Sequence, residues 1–446
     1  MTQAPSTLST LAAPVNRWNP TQRRIVLLCA VLITGALAIV IGMKLGKSFR
    51  ISDVGWYLRL SFGDPGHKVA QPFASRQLGP AVVRLFAWML HLPQQKVFVA
   101  QGVISLALTL AVVYGLALRT TAPRWMLLAM ATVPFWPQLY MGLALPDLWY
   151  AAVLSVFLLL LWRKHFLWAS LMMFPLMVSR ESTSLTLACF LIAGWRDLRW
   201  RGRLLAFGSA LAGTVLVQRL TAQSPGNREH LPESIYMLTK APWNFVRNFL
   251  GLEPWSDVLP LCPVPTWQHS LHVGPVHAIG ICKFSANLPA TSVWAALSTF
   301  GLLPLLTVFF WWRTRKVKNR GLLLRFSLLY GAACLVMAPL LGVWMSRLFG
   351  YGWPFCLVAL PMLFDDVRTR DAAVLKSKRS VAVLGLLALH LAACQIAFEA
   401  AAVEWSVLLV GLYIAGYALL RWWFGPPVPD AGKRLHSNPQ QAAAGA

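Results

Sequence analysis

Along the chain, apolar residues gather into long runs that stop at basic clusters or at turns containing Pro and Gly. These runs predict helices, not strands. Windows at residues 25 to 43, 97 to 118, 125 to 142, 148 to 162, 165 to 178, 182 to 195, 204 to 222, 291 to 312, 321 to 345, 348 to 364, 380 to 398 and 405 to 424 stand out. Most approach the roughly 20 apolar residues that a helix needs to cross a bilayer. The pattern therefore predicts an all-α polytopic membrane protein with about twelve transmembrane helices. The windows at 165 to 178 and 182 to 195 are too short for two ordinary crossings and read as a re-entrant or tilted hairpin. One multi-pass membrane domain, 25–424, is expected between an N-terminal tail, 1–24, and a polar tail, 425–446, whose composition is that of a disordered segment.

Two long stretches interrupt the pattern, 44–96 and 223–290. In the first, Leu78 to Leu92 places Leu78, Val82, Leu85, Phe86 and Met89 at helical spacing, with Arg84 and His91 as polar interruptions. That reads as an amphipathic helix lying in the membrane interface. The second is rich in Pro, Trp and His and shows no strong helical or strand period. Trp243, Trp255 and Trp267 suit a loop resting on the membrane surface.

Composition agrees, since 57% of residues are hydrophobic, 12% are charged and the mean hydropathy is +0.58. These values exclude an ordinary soluble domain. A net charge of +25 would suggest a nucleic-acid partner in a soluble protein, but here the cations punctuate the apolar runs instead of lining one face. Counted from a cytoplasmic N-terminus, one side receives Arg119 and Arg124, Arg163 and Lys164, then Arg196 to Arg203. The same side later receives Arg313 to Arg320 and Arg368 to Arg379. By the positive-inside rule both termini are cytoplasmic and the two long loops lie on the outer face. The first apolar run, Ile25 to Met43, is too long for a signal-peptide core and reads as a retained anchor.

With fifteen carboxylates in the whole chain, the few at the outer ends of apolar runs are the natural candidates for chemistry. Asp53 lies among Trp56, Tyr57 and Val54, where partial desolvation would raise its basicity; the alternative is a solvated loop carboxylate. Arg76 directly precedes the amphipathic helix, at the depth of lipid headgroups, and suits a phosphate, though a snorkelling arginine would look the same. Arg180 and Glu181 interrupt the short hairpin. They are either site residues or a mutually neutralised pair at a helix break. Asp147 opens an apolar run and could equally serve the helix N-terminus. Arg347 is a further outer cation able to hold a lipid phosphate or to act as an anchor.

Five of the seven cysteines fall inside apolar runs, which leaves Cys262 and Cys282 in the second loop as a candidate disulfide. His269, His272 and His277 nearby are weak candidates for a metal, because their spacing matches no ligand signature. No cofactor is required by the sequence, and a divalent metal stays open. No phosphate-cradling Gly loop, nucleotide motif or hydrolase triad is present.

The arrangement resembles the C-type (GT-C) membrane glycosyltransferase superfamily. The likeness rests on Asp53 to Tyr57, then Pro72-Phe73 and Arg76 to Pro80, the helix Leu78 to Leu92, and the hairpin broken by Arg180-Glu181. It departs from that superfamily's best-studied members in lacking a paired acidic motif in the first loop and a large soluble domain after the spans. The resemblance implies a bacterial inner-membrane enzyme that takes a sugar from a polyprenyl-phosphate donor to an envelope acceptor on the periplasmic face. Membrane lipids and the lipid-linked sugar would be its partners, and nucleic acid would not. On that likeness Asp53 would be the catalytic base, and Arg76, Arg180 and Arg347 would bind the lipid phosphate. Two other classes compete. A transporter or flippase of a lipid-linked saccharide should show internal repeats, and none is visible. A non-catalytic subunit of an envelope-assembly complex would tolerate neutralisation of Asp53.

Overall fold

The structure, a computed structural model, describes residues 19–45, 53–63, 69, 73–222, 224, 233–256, 267–269, 279–317, 320–342, 345–370, 379–398 and 403–425. The chain opens with α1 (Pro20–Leu45), α2 (Val54–Ser61), a 3-10 turn (Phe73–Ser75), α3 (Leu78–Leu90) and α4 (Gln94–Ala117). Next come α5 (Arg124–Ala131), α6 (Phe135–Met141), α7 (Pro146–Trp162), α8 (Phe166–Leu171), α9 (Met173–Ser179), α10 (Thr183–Ala193) and α11 (Trp200–Thr221). Then follow α12 (Glu233–Leu250), β1 (Leu252–Ser256), β2 (Trp267–His269), β3 (Ile279–Phe284), α13 (Asn287–Ser298), α14 (Leu303–Arg313) and α15 (Leu322–Leu341). The chain closes with α16 (Met345–Gly350), a π-helical turn (Pro354–Ala359), α17 (Leu360–Arg370), α18 (Arg379–Ile396) and α19 (Val403–Phe424).

The protein is nearly all-α and carries helices built for a membrane. Among the described residues five helices, α1, α4, α11, α15 and α19, are long and apolar enough to cross one, and a sixth span results if α13 and α14, bent by 68° at their junction, count together. The remaining apolar windows fall on shorter or broken helices. The window at 125 to 142 breaks between α5 and α6 at Pro134, whose ring cannot donate the amide a continuous helix needs. The window at 348 to 364 is divided among α16, the π turn and α17, with Gly352 and Pro354 at the division.

Burial separates the centre of the bundle from its lipid-facing rim. The 17-residue α7 is apolar around its circumference and almost wholly buried, as expected of a helix with neighbours on every side. On α1, by contrast, Ile25, Leu28, Leu32 and Ile33 are exposed. Such a surface is tolerable in lipid and not in water. A continuous apolar core runs through the bundle, and Gly331 of α15 is one of its closest approaches: a Cβ there would stand 2.7 Å from the amide nitrogen of Phe355 in the π turn.

Polar contacts collect at the two ends of α7. Asp147 begins the helix beside Arg180 and Arg347, whereas the far end shares its side of the bundle with Thr121–Asp365 and Asp197–Arg325.

The expected amphipathic helix at Leu78 to Leu92 forms as α3 but stops at Leu90, because His91 turns left-handed with φ 51° and caps it. It packs through Gly79, Pro80, Val83 and Ala87, while Leu85, Phe86, Trp88, Met89 and Leu90 point outward. At thirteen residues it is about 20 Å long, too short to cross a bilayer.

The second long loop is more ordered than its pattern suggests. α12 is amphipathic, with Pro242 inside it, in a stretch expected to show no strong period. The three strands form one antiparallel sheet in the order β1-β3-β2, with Glu253 opposite Lys283 and an irregularity at Glu253/Pro254, where proline has no amide to give. Cys282, on β3, is disulfide-bonded. Cys262, its expected partner, lies outside the described residues, as do His272, His277 and residues 426–446 of the tail.

Candidate functional site

The site begins with an aromatic fold-back. Asp53 precedes the first turn of α2, and Tyr57 is buried one turn later. Phe73 of the 3-10 turn stacks on Trp56 with centroids 6.0 Å apart and meets Tyr57 edge-on at 6.1 Å. Folding the loop in this way carries Arg76 inward, where its Nη1 donates to the Tyr57 hydroxyl at 2.7 Å. The next residue is tied as well: Gln77 N donates to Val178 O at 3.1 Å, joining the start of α3 to the end of α9.

Arg76 then closes on Glu181 through two hydrogen bonds, Nε to Oε2 at 3.0 Å and Nη2 to Oε1 at 2.5 Å. This fork is the strong, planar form of a guanidinium–carboxylate pair. Burial alone would raise the Glu181 carboxyl, but the charge and hydrogen bonds of Arg76 outweigh it and hold Glu181 down at about 2. Burial would likewise discourage the Arg76 cation, and Glu181 overcomes that and raises it.

Arg180 and Glu181 do not neutralise each other. The backbone at Arg180 is extended, with φ −165° and ψ 139°, and successive side chains on an extended chain point to opposite sides. Glu181 turns to Arg76, and Arg180 turns to Asp147 Oδ1. The Arg180 guanidinium also lies over the Tyr351 ring, 4.2 Å from its centroid. The pair reading is thus replaced by two pairs with distant partners.

Asp147 is not a cap either. Leu145 holds the N-cap position and Pro146 the first helical one, and no side-chain cap bond forms. Instead the carboxylate bridges two cations, with Arg180 on Oδ1 and Arg347 Nε 2.6 Å from Oδ2. Arg347 reaches further: its Nη1 lies 3.4 Å from Asp53 Oδ2, the longest contact of the group. Asp53, Arg76, Asp147, Arg180, Glu181 and Arg347 therefore meet at one end of the bundle, three guanidiniums against three carboxylates. Tyr57 and Tyr351 are the contributors that charge-based reading passes over.

Beside Asp147 and Arg347 opens an apolar cleft between α6, the start of α7 and α16. It encloses about 540 Å³ of atom-free space including its mouth, and its walls include Phe135, Leu139, Leu145 and Trp353.

No protein-family model, curated protein or solved structure matches the chain. Among the described residues no group of three or more His, Cys, Asp or Glu could hold a metal ion. Cys282 is oxidised and offers no thiolate, and His269 lies on β2.

Asp147 is held by two arginines and Glu181 by a fork, and Asp53 lies 3.4 Å from Arg347, so the Arg347 guanidinium is shared between two carboxylates.

Proposed function

We propose that the chain is a GT-C-type membrane glycosyltransferase, transferring a sugar from a polyprenyl-phosphate donor to an envelope acceptor on the periplasmic face of a bacterial inner membrane. About twelve passes with both termini cytoplasmic complete this reading. The observation that carries it is the contact of Asp53 with Arg347, which itself lines an apolar cleft, in one charged cluster with Arg76 and Arg180.

In this reading the donor phosphate takes the Arg347 edge now shared with Asp53, and the polyprenyl chain follows the cleft. Asp53 accepts the proton of an acceptor hydroxyl, whose oxygen attacks the anomeric carbon. The bond from that carbon to the phosphate oxygen breaks, its electron pair leaves with the polyprenyl phosphate, and the arginine stabilises the growing charge. Attack opposite the leaving group inverts the anomeric centre. Asp147 and Glu181 hold the arginines in place and take no proton.

The test is the purified protein in liposomes with a labelled polyprenyl-phosphate sugar, followed for loss of sugar from the lipid. Turnover that falls by about 10²-fold or more in a folded Asp53→Asn variant supports the enzyme. Movement of the intact lipid across the bilayer without turnover marks a flippase, and neither marks an assembly subunit.

A further inference from the structure

The last carbonyls of a helix lack amide partners within it, and α15 ends at Leu341. Its final carbonyls are met from another helix. Asn244 of α12 donates Nδ2 to Leu340 O at 3.0 Å, and Asn248, one turn on, donates to Pro339 O at 2.7 Å and to Gly342 O at 3.0 Å. Both amides are buried, at 4% and 3% exposure, so neither bond is replaceable by bulk water. By gripping carbonyls on both sides of the helix end, the Asn248 amide holds the last turn of α15 and Gly342 against α12. Arg347 follows five residues after Gly342, in α16, whose Met345 and Phe349 pack on Ala338 of α15 and Ala295 of α13.

We propose that Asn248, backed by Asn244, is a positioning residue for Arg347: it holds the exit of α15 so that the guanidinium reaches Asp147 and Asp53. The functional weight of this rests on the reading of Arg347 as the phosphate-binding cation. A second consequence concerns the outer loop. α12 passes through Gly251, at φ +70°, directly into β1, and Gly251 O accepts the amide of Ser285 at 2.7 Å just after β3. The sheet carrying the disulfide-bonded Cys282 is therefore joined to the same helix that sets Arg347. An ordinary cap would stabilise α15 and leave Arg347 energetically independent; a positioning residue couples to it.

The test is a double-mutant cycle on the full-length protein in detergent, read as thermal midpoints of wild type, Asn248→Ala, Arg347→Met and the double variant. We expect Arg347→Met to lower the midpoint in the wild type and to lower it by less than half as much in Asn248→Ala. The control is Arg325→Met, which breaks the Asp197 pair at the other end of the bundle and should be additive with Asn248→Ala. Additive shifts with Arg347, or equal non-additivity with Arg325, overturn the proposal. If Asn248→Ala does not fold, Asn244→Ala removes one bond instead of two and enters the same cycle. Because the cycle needs no turnover, its outcome stands apart from the sugar-transfer assay, and failure of one is not failure of the other.

Discussion

Arg76 and Glu181, 105 residues apart in sequence, meet through two hydrogen bonds of 3.0 and 2.5 Å. This fork ties the first long loop to the break between α9 and α10, so the loop that carries Asp53 is anchored to the bundle by a contact whose strength depends on pH. Glu181 is held at about 2 against an ordinary value near 4.5, so its folded form is favoured whenever the carboxylate is ionised. The contribution is complete above about pH 4.5 and is lost as pH falls from there toward 2. Thermal midpoints in detergent should therefore drop across that window in wild type and drop less in Glu181→Gln. Equal pH slopes in the two proteins would remove the fork as the cause.

The carboxylates of the cluster should differ sharply in what they hold together. Asp147→Asn leaves Arg180 and Arg347 facing each other without their shared anion, and Arg180 is only 6% exposed. Uncompensated buried charge of this kind costs about 3–5 kcal/mol. Asp53→Asn weakens a 3.4 Å contact at a more exposed position and leaves Arg347 with Asp147, so it should cost less than Asp147→Asn. Denaturation in detergent measures both, and a more costly Asp53→Asn would reverse the order of importance argued for these two groups.

Packing offers a prediction independent of charge. At Gly331 of α15 an added methyl group would collide with the backbone of Phe355, at the point where the π turn presses against the helix. Backbone cannot swing aside as a side chain can. Gly331→Ala should cost about 1–3 kcal/mol, whereas Gly208→Ala on α11, where an added Cβ meets nothing within 4 Å, should be neutral or slightly stabilising. Midpoints for the two variants decide whether close approach or helix propensity governs.

These contrasts also explain what could be read from the sequence. Apolar windows are legible because lipid demands long uninterrupted hydrophobicity, so every window falls on helix. The breaks at Pro134, at Gly301 and at the π turn are hidden, because a broken helix keeps the same composition as a straight one. α12 carries a strong period that is diluted when the whole Pro-rich stretch 223–290 is taken together, and β1 is hidden because its five residues include a proline. In the site, Asp53, Arg76, Asp147, Arg180, Glu181 and Arg347 stand out from the sequence through the scarcity of charge in an apolar chain. Their partners do not: the exchange between Arg180 and Glu181 follows from one extended residue, a property of the backbone that charge alone does not encode. Tyr57, Tyr351 and Asn248 bear no charge, and among so many aromatic and amide residues nothing in the string singles them out.

His390 joins two of those hidden breaks. It lies on α18, 2% exposed, with Nδ1 accepting the amide of Leu302 at 3.2 Å and Nε2 donating to Ala129 O at 3.0 Å and lying 3.2 Å from the Thr132 hydroxyl. Leu302 belongs to the bend between α13 and α14; Ala129 is in the last turn of α5 and Thr132 follows that helix directly. The two breaks also touch directly, Phe135 N donating to Thr299 O at 3.1 Å. One neutral imidazole thus satisfies a donor from one break and shares an acceptor of the other with the Thr132 hydroxyl. His390→Ala leaves the Leu302 amide without its partner in apolar surroundings, while Ala129 O keeps the Thr132 hydroxyl, and should cost about 1–3 kcal/mol. Gly301→Ala should be costly for a different reason, since φ is +54° and the new Cβ would lie 2.6 Å from Nδ1 of His390. Removing the imidazole makes room for that methyl group, so the Gly301→Ala/His390→Ala protein should lose less than the sum of the two single losses. Additive losses would mean that the strain at Gly301 resides in its backbone alone and that His390 does not define the bend.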